Sequence, residues 1–303
     1  MTNTALILGA TGKFGGHCAR AFETAGWQVK RFRRDTQNMN DAARGVDVIV
    51  NGLNPPNYKN WATVLPAITT QVISAAKASG ATILQPGNVY NFGKQSGPWG
   101  VSTPHVTHTV KGQIRIDIET KLRKAAETMG VQTIILRAGD FIDDTNSGNW
   151  FDISLTAKLQ KNQFGHPGNM NIDHAWAFLP DLARAAVLLA ENRAALAMFE
   201  DVPFAGHNLT GTAIMKGFEQ ILGQTLTHKP FPWQLIRLAS PFWSLGKELL
   251  EMRYLWETPH SLDNTRLRAL LPDFEITDTQ EMLAASIRWK MAQLPGNAAL
   301  VMT

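Results

Sequence analysis

Three glycines spaced three residues apart follow the first apolar run of the chain. The run covers residues 5–8, and a helical pattern begins at residue 16. After a strand, the first glycine permits a tight turn and the second lets the backbone approach a pyrophosphate. The third lets the helix pack against the strand, while free N–H groups at the helix N-terminus face the anion. The pattern therefore predicts a dinucleotide-binding loop. Its expected contacts are Gly9, Thr11, Gly12, Lys13, Phe14 and Gly15.

The elements that must position this loop alternate along the first half of the chain. Apolar, β-branched runs predict strands at residues 5–8, 29–32, 46–50, 82–84 and 131–136, and helical patterns cover residues 16–25, 61–79 and 112–129. Strands that alternate with helices indicate a parallel sheet with right-handed crossovers. We predict an α/β fold, with a doubly wound Rossmann-type parallel sheet in residues 1–145.

The second half has a mixed pattern and is expected to form a smaller C-terminal substrate lobe, residues 146–303. Residues 172–192, a strand followed by a helix, are expected to return to the Rossmann sheet. The apolar stretch at residues 233–250 is interrupted by charges and predicts an amphipathic helix pair or an interface. The Gly- and Pro-rich loop at residues 86–110 follows the fourth strand, where ligands bind in such sheets, so it is a candidate active-site loop.

Composition excludes several classes of protein. The chain has 303 residues, of which 44% are hydrophobic and 18% charged, as in a globular protein. Its single cysteine, Cys18, excludes an internal disulfide, and its eight histidines lack the paired spacing of a metal site. The net charge is +4, but basic residues are scattered, so no nucleic-acid partner is expected. No signal-peptide pattern or membrane-spanning run is found, and a cytoplasmic protein without a membrane partner is expected.

Four segments carry a resemblance to a known superfamily. They are residues 9–15 (GATGKFG), 88–90 (NVY), 178–185 (FLPDLARA), and 262–267 (LDNTRL) with a closing IRW at 287–289. Together they resemble the extended or atypical branch of the short-chain dehydrogenase/reductase superfamily, the NAD(P)-dependent epimerase/dehydratase group. The segments span nearly the whole chain. The resemblance implies a nicotinamide cofactor and a small-molecule substrate, and it makes a homodimer one expectation for an oligomeric state that stays open.

The resemblance also bears on the choice of cofactor. NAD-preferring relatives carry an acidic residue seven positions after the glycine that ends the first helix, and here that count from Gly26 reaches Arg33. With Arg34 beside it, an arginine can donate two hydrogen bonds to a 2′-phosphate, so NADP is expected rather than NAD. The alternative is a solvated charge run at the strand end. The further cofactor contacts implied by the resemblance are Asn51, Gly52, Leu53 and Asn88.

The catalytic pattern of the superfamily is altered in this chain. Its members use a Tyr-x-x-x-Lys pair on one helix face for proton transfer. Here Tyr90 has Lys94 four residues later, but in a predicted loop. Alignment by helix pattern puts Lys111 in place of the tyrosine and Arg115 in place of the lysine. Arg115 does not titrate near neutrality, so it is expected to hold ribose hydroxyls. Lys111 serves as an acid or base only if its pKa is depressed, and the alternative is a basic helix face toward phosphate or solvent.

Substrate contacts are expected mainly around the nicotinamide. The candidates are Asn88, Tyr90, His105, His108, Phe141 and Trp150, with Trp176 as either a pocket or a core residue. The segment 137–141 either lies near the nicotinamide or forms an ordinary loop. Two functions remain open. One is an NADP(H)-binding oxidoreductase or epimerase/dehydratase-like enzyme acting on a small carbonyl or sugar-like compound, with Lys111, Arg115 and Tyr90 as catalytic candidates. The other is an NADP(H)-binding sensor that has lost catalysis.

Overall fold

The computed structural model describes residues 2–291 and confirms an α/β fold with a parallel, Rossmann-type sheet. The sheet has six strands in the order β2-β1-β3-β4-β5-β9, and each neighbouring pair is parallel. The elements of the first half are β1 (Thr4–Leu8), α1 (Lys13–Thr24), β2 (Gln28–Arg31), α2 (Met39–Ala42), β3 (Val48–Asn51), α3 (Trp61–Ser79), β4 (Thr82–Gly87), α4 (Val110–Met129) and β5 (Thr133–Arg137).

The second half adds two small sheets and a group of helices. One sheet has the order β10-β8-β6 and the other pairs β11 with β7. The elements are β6 (Asp140–Ile142), β7 (Gln163–His166), β8 (His174–Phe178), α5 (Leu179–Glu191), β9 (Phe199–Pro203), β10 (His207–Leu209), α6 (Gly211–Leu222), β11 (Thr227–Pro230), α7 (Trp233–Ala239), α8 (Ser244–Met252), α9 (Thr265–Leu270) and α10 (Thr279–Met291).

The strand predicted to return to the main sheet does not do so. β8 pairs with β10 and β6 in a small sheet, whereas β9 pairs with β5 and extends the main one. The helix of the predicted segment 172–192 packs on the Rossmann half through α1, and the strand contributes Ala177 to the core beneath the main sheet without pairing with it. β8 is buried along its whole length, and a fully buried apolar strand carries no sign of which sheet it joins.

Apolar layers cover both faces of the main sheet. Phe22 of α1 and Leu182 of α5 belong to the core cluster on one face. Val72 of α3 and Leu122 of α4 belong to the cluster on the other face. Burial on both faces is what a parallel sheet requires. The carboxyl ends of the strands are therefore held rigidly at one edge, where the loops meet.

Local signals fix the helix that begins beside this edge. The Thr109 side chain accepts a hydrogen bond from the Gly112 N–H at 3.0 Å, which caps the start of α4. Gly130 ends the helix in the left-handed conformation, with φ of 67°. The cap places Lys111 and Arg115 in the first two turns, next to the strand ends. Within the described residues, no helix combines the length and the apolar character that crossing a membrane requires.

Candidate active site

The glycine loop packs against the end of β3 with no space for side chains. Gly9 has a φ of 73°, and its carbonyl accepts a hydrogen bond from the Gly12 N–H at 2.9 Å. A Cβ atom on Gly15 would lie 2.3 Å from the Gly9 oxygen, and one on Gly52 would lie 2.8 Å from the Leu8 oxygen. These contacts require glycine at both positions.

The N-terminus of α1 is open to an anion. No side chain caps it, and its first turn holds no acidic residue, so its first N–H groups have no partner within the helix. Thr11 and Lys13 are exposed there, whereas the Phe14 side chain is buried in the core. The pKa of Lys13 is lowered because surrounding protein atoms partly desolvate its ammonium, and the charges of Asp152 and Asp143 oppose that effect.

A groove of about 700 Å³ lies beside the ends of β2 and β3. Arg34 and Leu53 line it, and Arg33 is exposed next to it, with its backbone N–H donating to the Gln37 side chain at 2.7 Å. Arg31, in contrast, is paired with Glu23. Within residues 2–291, neither Arg33 nor Arg34 has an acidic partner, so both guanidinium groups remain available to a ligand.

Asn51 and Gly52 lie between this groove and the glycine loop. The Asn51 side chain is buried and donates to Gln85 at 2.7 Å, while its Oδ1 atom has no partner. Only the backbone of Gly52 reaches the loop. The predicted adenine side of the site is thus made of backbone and two exposed arginines.

The three residues predicted for catalysis come together around a fourth, Tyr58. The hydroxyls of Tyr58 and Tyr90 are 3.5 Å apart, and the Lys111 ammonium lies 4.8 Å from the centre of the Tyr58 ring. The Arg115 guanidinium stacks over Trp61 at 4.7 Å, and its buried Nε atom has no partner. Tyr58 was missed by the sequence analysis.

Lys111 is held by acidic residues that sequence reasoning did not find. Its ammonium is ion-paired with Glu248 and Glu251 of α8, and its backbone N–H donates to Glu251 at 3.0 Å. The Lys111 side chain is 3% exposed. The pairs tie α4 to α8 across the site, which gives Lys111 a positioning contact in addition to its predicted role.

Asp140 affects every tyrosine of the chain. Burial is the main reason that the pKa values of Tyr58, Tyr90 and Tyr254 are raised, and the charge of Asp140 adds to each shift. These are the only three tyrosines in the sequence. Their phenols are neutral hydrogen-bond donors near pH 7. Asp140 itself accepts a hydrogen bond from His174 Nε2 at 2.8 Å, which fixes the carboxylate beside the site.

The remaining predicted residues fall in different surroundings. His108 packs against Tyr254, with 4.6 Å between the centres of the two rings. His105 lies against Phe92, and its pKa is lowered by burial and then by the charge of Arg137. The side chain of Asn88 accepts from the Tyr90 N–H at 3.1 Å, which orients the tyrosine.

Arg137 does not face the nicotinamide position. Its guanidinium is fully buried and pairs with Glu119 at 2.7 Å and with Asp201 at 2.8 Å. It also donates to the Asn88 carbonyl at 2.8 Å. The arginine therefore ties together α4, β5 and β9 and supports the loop that carries Tyr90.

Several aromatic residues from the second half of the chain pack around Trp150, one of the predicted substrate contacts. Trp150 is half-buried and packs on Phe231, Trp233 and Trp256, at 5.7, 6.4 and 5.5 Å between ring centres. Phe141 is half-buried in β6, whereas Trp176 is only 1% exposed and belongs to the core. Trp150 and Phe141 are thus the predicted aromatic residues that keep some accessible surface.

Two clusters of ligand-type side chains contain hydrogen bonds or ion pairs of their own. In the first, Arg20 donates to His17 Nδ1 at 3.0 Å, which leaves the proton on Nε2 directed at Asp143, 2.9 Å away. In the second, Arg137 lies between Glu119 and Asp201. In both sets a ring proton or a guanidinium thus occupies a carboxylate.

The asparagine-rich segment around Tyr58 is the one feature of the sequence that could have pointed to this residue. Asn57, Tyr58 and Asn60 all have positive φ angles, between 54° and 58°. Such conformations cost about 1–3 kcal/mol each and concentrate at functional sites. The segment 54–60 reads NPPNYKN, and asparagine is the non-glycine residue that best tolerates this region.

No protein-family model and no curated protein sequence matches this chain. Solved structures do. MoeE5, solved with UDP-glucose and NAD, is 13% identical, with a TM-score of 0.75 over 95% of this chain and 98% of its own. A nucleoside-diphosphate-sugar epimerase from Pseudomonas aeruginosa is 17% identical, with a TM-score of 0.71 over 95% and 97%.

A third structure extends the comparison. UDP-glucuronic acid 4-epimerase from Bacillus cereus, solved with UDP-glucuronic acid and NAD, is 13% identical, with a TM-score of 0.71 over 93% of this chain and 97% of its own. The likeness covers nearly the whole of each chain, and at this identity it concerns the fold. The chain therefore shares the fold of these solved structures, with the Rossmann-type parallel sheet that the sequence predicted.

Proposed function

We propose that this chain binds a nicotinamide dinucleotide along the carboxyl edge of its main sheet and acts on a small carbonyl or sugar-like substrate, as an epimerase/dehydratase-like or oxidoreductase enzyme. One observation carries the proposal: an open helix N-terminus above a glycine loop lies on the same sheet edge as a cluster of tyrosines and a carboxylate. The first feature suits a pyrophosphate and the second suits proton transfer.

The glycine contacts and the open N–H groups of α1 fit such a cofactor. MoeE5 and the Bacillus cereus epimerase were solved with NAD. In this chain, however, the resemblance puts Arg33, with Arg34 beside it, at the position where NAD-preferring relatives carry an acidic residue for the ribose hydroxyls. Both are exposed and without an acidic partner in the described chain, which favours a 2′-phosphate. We therefore propose NADP(H) as the cofactor.

The proposed chemistry assigns a task to each side chain of the cluster. When bound, the nicotinamide would take up or supply a hydride. Asp140 would accept the proton of a substrate hydroxyl and return it, while His174 holds its carboxylate in place. Tyr90 and Tyr58, whose pKa values are raised, would donate hydrogen bonds to the substrate oxygen. Arg115, with its unpartnered Nε atom, would hold ribose hydroxyls.

A second candidate function has its own supporting observation. Lys111 stands where the superfamily has its tyrosine, and its ammonium is bound by two glutamates of α8. A cofactor-binding sensor would need no proton donor at this position. The sensor and the enzyme share the cofactor and differ in turnover.

Calorimetric titration with NADPH and NADH, followed by a substrate panel, tests the proposal. Carbonyl reduction is followed at the NADPH absorbance band. Nucleotide sugars are followed by NMR, because an epimerase returns the hydride and leaves no net change in absorbance. Dinucleotide binding with turnover is the expected result. Binding without turnover on any compound favours the sensor, and absence of binding to both dinucleotides contradicts both functions.

A further inference from the structure

The hairpin formed by α7, α8 and their connecting turn exposes apolar side chains that its own fold does not use. Phe242 is 97% exposed, Leu238 77%, Leu235 68% and Trp243 41%. These four are among the eleven large apolar residues exposed in the described chain, and they fall within nine consecutive positions. An exposed cluster of this kind marks an interaction surface.

α7 is apolar on opposite sides. Trp233 and Ile236 face inward and are buried in the core of the second half, while Leu235 and Leu238 face outward. A helix that is hydrophobic all round is normally covered on every side. The turn is also braced, because a Cβ atom on Gly246 would lie 2.7 Å from the Trp243 ring. Phe242 and Trp243, which form the aromatic tip of the hairpin, therefore lie on a turn that is held in place by close packing.

The segment that carries the exposed side chains has basic residues and no acidic ones before Glu248, which is ion-paired with Lys111. Residues 220–247 contain no aspartate or glutamate, and their basic residues are Lys229, Arg237 and Lys247. All three are exposed, and none has an acidic partner in the described residues. At the base of the hairpin, a basin of about 620 Å³ is lined by Arg237 together with Lys94 and Arg253. Arg253 is paired with Glu257, which leaves a net positive lining.

We propose that the α7–α8 hairpin docks on an anionic lipid surface, with Leu238, Phe242 and Trp243 among the acyl chains and the basic residues at the headgroups. Aromatic and leucine side chains flanked by Lys and Arg are the composition of segments that lie in a membrane interface. This partner departs from the expectation drawn from sequence, because residue types alone do not show that these side chains point outward.

A second copy of the chain fits the surface less well. A two-fold dimer places the same patch on both subunits, so the basic residues of one copy would meet a surface that carries the same basic residues. Like charges that face each other across an interface oppose association. Anionic headgroups offer the opposite charge to every basic residue around the tip.

Flotation with lipid vesicles tests the proposal on the full chain. Vesicles of phosphatidylcholine alone are compared with vesicles of phosphatidylcholine and phosphatidylglycerol in equal parts. We expect binding to the anionic vesicles and much weaker binding to the neutral ones. The variant R237Q/K247Q should lower partitioning by about 30-fold, since each basic residue near the surface contributes roughly a fivefold factor.

The apolar tip is tested separately. F242S/W243S should lower partitioning to anionic vesicles by at least about tenfold, because two rings no longer leave water. The matched control is Met129→Ser, which removes a half-exposed apolar side chain at the far end of α4 and should change nothing. Circular dichroism checks that each variant is folded.

Three results would overturn the proposal: no flotation with either vesicle, equal binding to neutral and anionic vesicles, or partitioning unaffected by F242S/W243S. A dimer in light scattering that F242S/W243S converts to monomer would assign the surface to a second copy instead.

Discussion

The two ends of the candidate site are formed by different kinds of contact. At the proposed adenine and pyrophosphate end, the glycine loop of β1–α1 meets Gly52 through backbone contacts alone. At the proposed nicotinamide end, Tyr58, Tyr90 and Lys111 meet through side chains that come from three separate segments and are completed by α8. The first end needs only glycines in the loop and at the end of β3, whereas the second depends on which side chains the tertiary fold brings together.

This difference indicates that cofactor binding and the reaction depend on different parts of the molecule. A backbone loop can bind a diphosphate in many proteins, because N–H groups and a helix N-terminus are the same in every sequence. The reaction depends on which side chains surround the substrate. In this chain the glycine loop forms as the sequence predicted, whereas Lys111 is bound by two glutamates that the sequence did not predict as its partners. Changes at one end should therefore affect binding, and changes at the other should affect turnover.

The largest expected effect is at Asp140. Asp140→Asn keeps a hydrogen-bonding side chain beside His174 but cannot accept a proton, so turnover should fall by about 1,000-fold. Cofactor affinity should be unchanged, because the glycine loop is untouched. Steady-state rates on the substrate found in the panel, together with calorimetry for NADPH, measure both quantities.

Asp117→Asn is the matched control for that experiment. Asp117 is an exposed carboxylate on α4 that accepts from Gln113 at 2.8 Å, outside the cluster. Its loss should leave turnover at the level of the unmodified protein. Full turnover in Asp140→Asn would show that the proton passes through another group.

The next effect is at Gly15. Gly15→Ala puts a Cβ atom 2.3 Å from the Gly9 oxygen, so the loop must move away from the pyrophosphate position. Overpacking of this kind costs about 3 kcal/mol, which corresponds to about 100-fold in cofactor affinity. Gly130→Ala is the control for a general loss of stability: its positive φ strains an alanine, but no atom lies within 4 Å of its Cβ position at the far end of α4, so NADPH affinity should not change. Equal NADPH affinity in Gly15→Ala and the unmodified chain would contradict the binding site.

Arg33 and Arg34 test the choice between the two cofactors. The double variant R33A/R34A should weaken NADPH binding by about 30-fold, the loss expected for a charge-assisted hydrogen bond, and leave NADH binding unchanged. Arg44→Ala removes a nearby charge that is already paired with Asp41 and should have no effect. An equal loss of affinity for NADPH and NADH would show that the two arginines do not bind the 2′-phosphate.

The sequence predicted the first end of the site better than the second for a physical reason. The glycine spacing and the bounds of α3 are set by residues that are close in the chain, and both appear as expected. Glu248 and Glu251 lie about 140 positions after Lys111, and nothing local marks them as its partners. Tyr58 is positioned by positive φ angles at Asn57, Asn60 and Tyr58 itself, a conformation that asparagine permits but does not impose.

The smallest expected effect concerns pH and again separates the two ends. The glycine loop contains no histidine, whereas at the other end His174, which binds Asp140, contacts a second buried histidine. His260 is buried between Trp99 and His174, at 4.8 and 4.4 Å between ring centres. Burial, and then the charge of His174, lowers the pKa of His260 to about 3.

The lowered pKa makes the folded state bind fewer protons than the unfolded chain below pH ~6.5, the ordinary histidine pKa. Stability should therefore fall with decreasing pH, by about 1.4 kcal/mol per pH unit from this residue between about pH 6.5 and the folded pKa. In His260→Asn that contribution is absent, so the slope of unfolding free energy against pH should become shallower by this amount. Urea unfolding at several pH values measures it, and the range above pH ~7 serves as the control because His260 is neutral there in both states. An unchanged slope below pH ~6.5 would mean that this histidine takes up a proton in the folded protein as readily as in the unfolded chain.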